Sequence, residues 1–131
     1  MDEQSLEPIR EVTIDFYGDD IPAALVIIDE TGQQVVYVPM RPLVEYMGLS
    51  WSGQRERINR DPVLSAMAQG VRFTRTPDKG GSQVMLCLPL DYINGFLFGM
   101  NANRVKPELR ERLITYQREY YQVLAAAFLD P

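Results

Sequence analysis

Five short segments carry the hydrophobic pattern of β-strands, either as alternating apolar and polar residues or as a continuous apolar run. They span residues 9–17, 24–28, 34–38, 71–76 and 83–88. Turn-forming residues, rich in Gly and Asp, separate the second segment from the third and the fourth from the fifth. The pattern therefore predicts two β-hairpins.

A pair of short helices is predicted between the two hairpins. Pro42 suits the first turn of a helix, and Gly48 is the residue type expected just past a helix C-terminus. Ser50 is then a candidate N-cap for a second helix over residues 51–60. A third, shorter helix is expected after Asp61, which is followed by a first-turn proline.

Apolar residues at three- and four-residue spacing predict two more helices in the last third of the chain. The first covers residues 89–100, and the second begins at Pro107 and runs to about Phe128. These elements predict an α+β fold: a small antiparallel or mixed sheet of about five strands, a short helical pair between its two hairpins, and a long C-terminal helix. Residues 1–8 are expected to be a mobile terminus, and residues 9–131 a single domain.

The predicted helix at residues 51–60 combines an anchoring face with a row of long polar side chains. Trp51 and Ile58 are seven residues apart, lie on one face and can anchor the helix. Its polar side chains suit base edges, phosphates or an acidic protein surface. One interpretation is a helix-turn-helix recognition unit, and the other is a helical hairpin that packs on the sheet with solvated arginines.

The predicted contacts to a partner protein or nucleic acid include this helix, the residue before Pro42 and the second hairpin. The residues are Arg41, Gln54, Arg55, Arg57, Asn59, Arg60, Arg72, Arg75 and Lys79.

The C-terminal helix carries more apolar surface than docking on its own domain requires. One apolar stripe runs along its length, and a second seam repeats every seven residues at a different angle around the helix. The last turns are consequently apolar almost all round, which predicts contact with another subunit or domain; a helix buried in a deep core is the alternative. The residues predicted to form a homo-oligomer interface are Ile114, Tyr121, Leu124 and Phe128.

Composition excludes several kinds of chemistry. The chain has no histidine, which removes the usual zinc sites and the Ser-His and Cys-His nucleophilic arrangements. The single cysteine, Cys87, lies within an apolar run and is expected in the core. We therefore expect a non-enzymatic protein without a cofactor or metal. The apolar runs are too short for a membrane span and the acidic start is unlike a signal peptide, so a cytoplasmic location is predicted.

Charge is distributed unevenly along the chain. Residues 1–30 contain nine acidic residues and one basic residue, so the remaining nine acidic and twelve basic residues give the rest of the chain a small positive charge. The net charge of −5 argues against DNA binding through bulk electrostatics. Binding through a local basic face is the alternative that this charge does not exclude. The acidic first segment could complement a basic, DNA-reading surface on a partner protein.

Two segments of the chain resemble the N-terminal domain of phage antirepressor proteins, a family related to the amino-terminal domain of baculovirus repeated-ORF (Bro) proteins. One is Met-Gly-Leu-Ser-Trp at residues 47–51, and the other is Val-Lys-Pro-Glu-Leu-Arg-Glu-Arg-Leu at residues 105–113. A Gly-Gly hairpin followed by Cys-Leu-Pro-Leu lies between them, and the resemblance extends over about residues 10–128.

The resemblance implies a phage or prophage regulatory protein that binds a repressor and relieves transcriptional repression. DNA binding, which the resemblance links to the wider Bro-like group, is the alternative, with the helix at residues 51–60 as the reader. Members of the family often carry a further C-terminal domain. The expected partners are a phage or prophage repressor, DNA in the alternative, and a second copy of the chain through the C-terminal helix.

Overall fold

The computed structural model describes residues 5–28, 30–74 and 82–129, and these residues are organised around a five-stranded sheet. The strands are β1 (Arg10–Phe16), β2 (Asp19–Ile27), β3 (Gln34–Pro39), β4 (Gln69–Phe73) and β5 (Gln83–Pro89). Their order in the sheet is β1-β2-β3-β5-β4, and all neighbouring strands are antiparallel. The predicted α+β class and its five strands are confirmed.

Five α-helices accompany this sheet within the described residues. They are α1 (Met40–Tyr46), α2 (Trp51–Arg60), α3 (Pro62–Met67), α4 (Ile93–Phe98) and α5 (Pro107–Leu129). Short 3₁₀ turns, Leu90–Tyr92 and Ala102–Arg104, precede α4 and α5. The predicted N-caps form, because the side chains of Ser50 and Asp61 accept hydrogen bonds from backbone N–H groups in the first turns of α2 and α3. None of the helices that the structure describes combines the length and the apolar character needed to cross a membrane.

The first hairpin of the structure, formed by β1 and β2, is not one of the two that the sequence predicts. The second strand was expected from residue 24, but β2 begins at Asp19, directly after a two-residue turn of Tyr17 and Gly18. Both turn residues have positive φ, 51° and 91°, the backbone that two-residue hairpin turns favour. Pro22 is accommodated within β2 because β3 pairs only with residues 24–27, so its missing N–H interrupts no bond to β3.

The sheet curves so far that its two edges approach each other. Leu6, within the segment predicted to be a mobile terminus, forms a parallel bridge with Val71 of β4. Its N–H donates to the Gly70 carbonyl at 2.9 Å. The Glu11 carboxylate of β1 accepts hydrogen bonds from the N–H and the hydroxyl of Thr74, just beyond β4, the latter at 2.8 Å. The N-terminal segment thereby covers part of the outer edge of β4.

This curvature gives the sheet a hydrophobic core on each face. The smaller, which we call the inner core, contains Ala24, Val26, Tyr37, Val71, Phe73 and Cys87. Cys87 is therefore a core residue, as predicted, and burial raises the pKa of its thiol. The larger, helix-side core joins Phe16, Ile21 and Val38 of the sheet to side chains from all five helices.

An aromatic cluster and a sheltered carboxylate fix α5 to the turn of the first hairpin. Phe16 packs edge-to-face on Tyr116 and Tyr120, with ring centroids 4.7 and 5.4 Å apart. Arg112 donates from Nη2 to both carboxylate oxygens of Asp19, at 2.8 and 2.7 Å, and the Tyr116 hydroxyl donates to the same carboxylate. The Asp19 side chain is only 13% exposed. Burial and the bond to Asp19 raise the pKa of Tyr116, so its hydroxyl remains a donor.

The start of α5 also packs against the turn between α1 and α2. Gly48 has a φ of +80°, and a Cβ atom at this position would lie 2.7 Å from a methyl carbon of Leu109. Arg112 donates from Nε to the carbonyl of Tyr46, at the end of α1. The two segments on which the family resemblance rests therefore meet in the folded chain.

The two buried tyrosines of the aromatic cluster are expected to respond in opposite directions to loss of the hydroxyl. Tyr116→Phe loses the bond to the Asp19 carboxylate and should lower the free energy of unfolding by about 2 kcal/mol. Tyr120→Phe removes a buried hydroxyl that has no hydrogen-bond partner among the described residues, and should raise it by about 1 kcal/mol. Urea denaturation measures both changes, and an equal loss in the two variants would contradict the assignment of Asp19.

Candidate interaction surface

α2 is anchored along one side, as its sequence predicts. Ile58 is fully buried, and Trp51 is half-buried against the helix-side core. Because residues seven apart lie on the same side of a helix, these two contacts leave the opposite side of α2 in solvent.

The outward side of α2 carries five exposed polar residues, which we call the α2 surface. They are Ser52, Arg55, Glu56, Asn59 and Arg60. The first four recur at three- and four-residue spacing and, with Trp51 and Gly53, line an open depression of about 570 Å³. The depression therefore offers hydrogen-bond donors, acceptors and both signs of charge, and Arg60 is exposed on α2 outside its lining.

Arg57 and Gln54 belong to α2 but bond within the fold. Arg57 donates from Nη2 to the Phe96 carbonyl at 2.7 Å and from Nε to the Gln54 side-chain oxygen at 2.9 Å. Its guanidinium carbon lies 4.3 Å from the centroid of the Phe96 ring. Burial lowers the pKa of Arg57, an effect that nearby Asp61 opposes. These contacts remove Gln54 and Arg57 from the outward-facing set that the sequence suggested.

The other predicted contact residues do not join the α2 surface. Arg41, on α1, pairs with Glu45 one turn later at 3.0 Å. Arg72, on β4, lies 3.5 Å from Glu7 and donates to the Ser82 hydroxyl at 2.9 Å. Arg75 and Lys79 fall outside the described residues. The structure thus brings together Arg55, Asn59 and Arg60, and places Arg41 and Arg72 on separate elements with acidic partners of their own.

The acidic N-terminal segment is partly used inside the fold. Glu7 and Glu11 bind at the β4 edge, and Asp19 binds Arg112 and Tyr116. Asp15 and Asp20 lie directly opposite each other on β1 and β2, and both are exposed. Like charges in this position destabilise a strand pair slightly, so these two residues concentrate negative charge at one place on the surface.

Comparison with known protein families identifies the chain. The family model of the P22_AR N-terminal domain matches residues 12–131. The chain belongs to the P22_AR N-terminal domain family. This confirms the resemblance to phage antirepressor N-terminal domains seen in the sequence. No curated protein and no solved structure matches the chain.

In this P22_AR N-terminal domain, the four residues of the predicted oligomer interface on α5 differ in burial. Leu124 is 0% exposed and belongs to the helix-side core, so it cannot contact another copy in this conformation, and its assignment to an interface is corrected. Ile114, Tyr121 and Phe128 are half-buried. Tyr121 and Phe128 pack against the helix-side core, and the guanidinium of Arg10 lies 5.5 Å from the centroid of the Phe128 ring. The seam therefore retains only partial exposure.

The sequence-based prediction omits two members of the α2 surface, Ser52 and Glu56, because it is built on basic and amide side chains. Their spacing from Arg55 and Asn59 places all four on one helix face, so a signal was present. The prediction also omits Gln117 of α5, which donates to backbone carbonyls at the end of α4. A side chain that binds carbonyls twenty residues away leaves no local pattern in the sequence.

Proposed function

We propose that this P22_AR N-terminal domain is a non-enzymatic antirepressor module that binds a phage or prophage repressor and relieves transcriptional repression. The α2 surface is proposed to make the contact. The observation that carries this proposal is the mixture of charges on the exposed side of α2, where Arg55 and Glu56 line an open depression and Arg60 is exposed on the same helix. Such a surface is complementary to another protein surface that carries both signs of charge.

The same observation favours a protein partner over DNA. Affinity for DNA comes largely from neutralised phosphates, and the carboxylate of Glu56, which lines the same depression as Arg55, would repel them. The net charge of −5 adds a general repulsion. Arg41 and Arg72, which would extend a basic surface, are paired with Glu45 and Glu7.

Exposed acidic residues support an electrostatic contribution to the rate of encounter. Asp15 and Asp20 remain exposed on the first hairpin, whereas Asp19, next to Asp20 in β2, is bound to Arg112. DNA-binding repressors carry basic surfaces, which a concentrated negative charge attracts from a distance. Repression is relieved in this proposal because a repressor surface occupied by the domain is no longer free to bind operator DNA.

Direct DNA binding is the second candidate. It is favoured by two short helices joined through a tight turn, with Arg55, Asn59 and Arg60 exposed on the second helix. Arg and Asn side chains form the bidentate contacts that distinguish guanine and adenine in the major groove.

Self-association through α5 is the remaining part of the proposal. Ile114, Tyr121 and Phe128 are only half-buried, and Ala126 and Ala127 are exposed in the last turns. Ala127 continues the stripe that is buried earlier in the helix, so α5 carries apolar surface past the edge of its own core. A second copy of the chain is the proposed partner of this surface.

Arg55→Ala is expected to weaken repressor binding about tenfold, since Arg side chains are frequent anchors of protein interfaces. The measurement is titration of the domain into a complex of labelled operator DNA and a repressor from the same genome, with operator release followed by fluorescence anisotropy. Arg104→Ala is the matched control, because it removes an exposed arginine from the 3₁₀ turn before α5. Failure of the wild-type domain to release operator from any such repressor would reject the proposal.

Glu56→Lys distinguishes a protein partner from DNA by the sign of its effect. Affinity for a repressor should fall, because the substitution removes the only negative charge of the α2 surface and leaves a partner that matches both signs of charge without its counterpart. Affinity for DNA should instead rise, and its salt dependence should steepen by about one phosphate contact. Anisotropy titrations against the repressor and against a DNA duplex, each at several salt concentrations, measure both. A DNA affinity that does not change with salt would exclude the second candidate.

Ile114→Lys and Leu124→Ala should separate association from stability. Ile114→Lys places a charge in the half-exposed seam and should reduce self-association while the domain remains folded. Leu124→Ala opens a cavity in the helix-side core and should lower the free energy of unfolding by roughly 2–5 kcal/mol. Sedimentation velocity and urea denaturation report the two properties, and a wild-type chain that remains monomeric at every concentration would contradict self-association.

A further inference from the structure

The end of α4 is held by side chains from two other helices. The last carbonyl groups of a helix have no partner within it and require donors from elsewhere. Arg57 of α2 donates to the Phe96 carbonyl at 2.7 Å. Gln117 of α5 donates from Nε2 to the carbonyls of Leu97 and Met100, both at 2.9 Å. The turn that ends α4 is therefore a junction between α2 and α5.

The guanidinium of Arg57 occupies a close-fitting site at this junction. It lies over the Phe96 ring, and a Cβ atom on Gly99 would lie 2.6 Å from its Nη1 atom. Gly99 has a φ of −73° and a ψ of −10°, a backbone that any residue adopts. What glycine provides at this position is therefore space, and the guanidinium fills it.

We propose that Phe96 and Gly99 form a socket that makes Arg57 a positioning residue, which fixes the orientation of the α2 surface. This inference rests on the proposed function, and it identifies the contacts that orient α2, the helix proposed to bind the repressor. Arg57 acts through the placement of Arg55 and Asn59, which lie two residues before and after it, and does not itself face outward with them.

The socket adds directional contacts to the apolar contacts that attach α2 to the domain. The contacts of Ile58 and Trp51 are apolar, and apolar contacts resist rotation of a helix about its axis only weakly. The planar guanidinium of Arg57 has one donor on the Phe96 carbonyl, another on Gln54 and its face on an aromatic ring. A rotation of α2 would break both contacts with Phe96, the bond to its carbonyl and the stacking on its ring, so these contacts hold the α2 surface at one angle. Gln54 lies on α2 itself and orients the guanidinium within the helix.

Two alanine substitutions on the same helix segment test the proposal. Gly99→Ala should expel the guanidinium and leave the fold intact, because the displaced atom is the end of a flexible side chain. Gly95→Ala is the matched control, since a Cβ atom there has nothing within 4 Å. The dissociation constant for the repressor should rise about fivefold in Gly99→Ala and remain unchanged in Gly95→Ala. Arg57→Lys added to Gly99→Ala should recover part of the lost affinity. The lysine side chain is shorter than that of arginine, so its ammonium group should reach the Phe96 carbonyl without contacting residue 99.

Two spectroscopic signals report the socket without a repressor. The Nε–H resonance of Arg57, shifted by the Phe96 ring, should move toward the value of a free arginine in Gly99→Ala only. Trp51, the only tryptophan of the chain, should become more accessible to acrylamide quenching in the same variant. Identical signals and identical binding in the two alanine variants would overturn the proposal. If the signals change but the wild-type domain binds no repressor, the socket is supported and the proposed function is the part that fails.

Discussion

The carboxylate of Asp19, held by Arg112 and Tyr116, is the contact on which the arrangement of the domain depends. It joins the turn of the first hairpin to a helix that begins almost ninety residues later. A carboxylate sheltered from water is costly unless its oxygens are well bonded, and three donated bonds meet that requirement. With α5 fixed in this way, Leu109 reaches the α1–α2 turn and Gln117 reaches the end of α4. α5 therefore contacts both the α1–α2 pair and α4 and fixes their positions relative to the sheet.

In this arrangement, the elements that form the core are distinct from the helix that carries the exposed polar residues. The sheet and α5 form the main body of the domain, with a core on each face of the sheet. α2 sits at the margin of that body, attached by Ile58, Trp51 and Arg57, and the charged side chains of Arg55, Glu56 and Arg60 are exposed on it. A helix attached by one side and polar on the other is a common way to display contact residues at fixed positions. The residues best suited to recognition thus lie where substitutions disturb the core least.

Local patterns in the sequence account for the elements but not for the long-range contacts. Alternation and capping residues identify the five strands, α2 with its Ser50 cap, and α5, because these signals lie within a few residues of each other. Asp19 looks like an ordinary turn residue, since its partners lie more than ninety positions away. Arg57 is indistinguishable in sequence from Arg55, and only the position of Phe96 separates the inward-facing arginine from the outward-facing one. Leu124 fits both a core stripe and an interface until the sheet is placed beneath α5.

The pairing of Leu6 with β4 has a consequence for how partners can engage the sheet. An outer strand normally offers unpaired backbone groups, to which a foreign strand can add and from which aggregation can start. Here the Gly70 carbonyl and the Arg72 N–H are already bonded to Leu6. A visiting strand would have to displace the chain's own N-terminal segment before it could join at β4. Recognition by side chains on helices is therefore less costly for this fold than recognition by main-chain pairing at that edge.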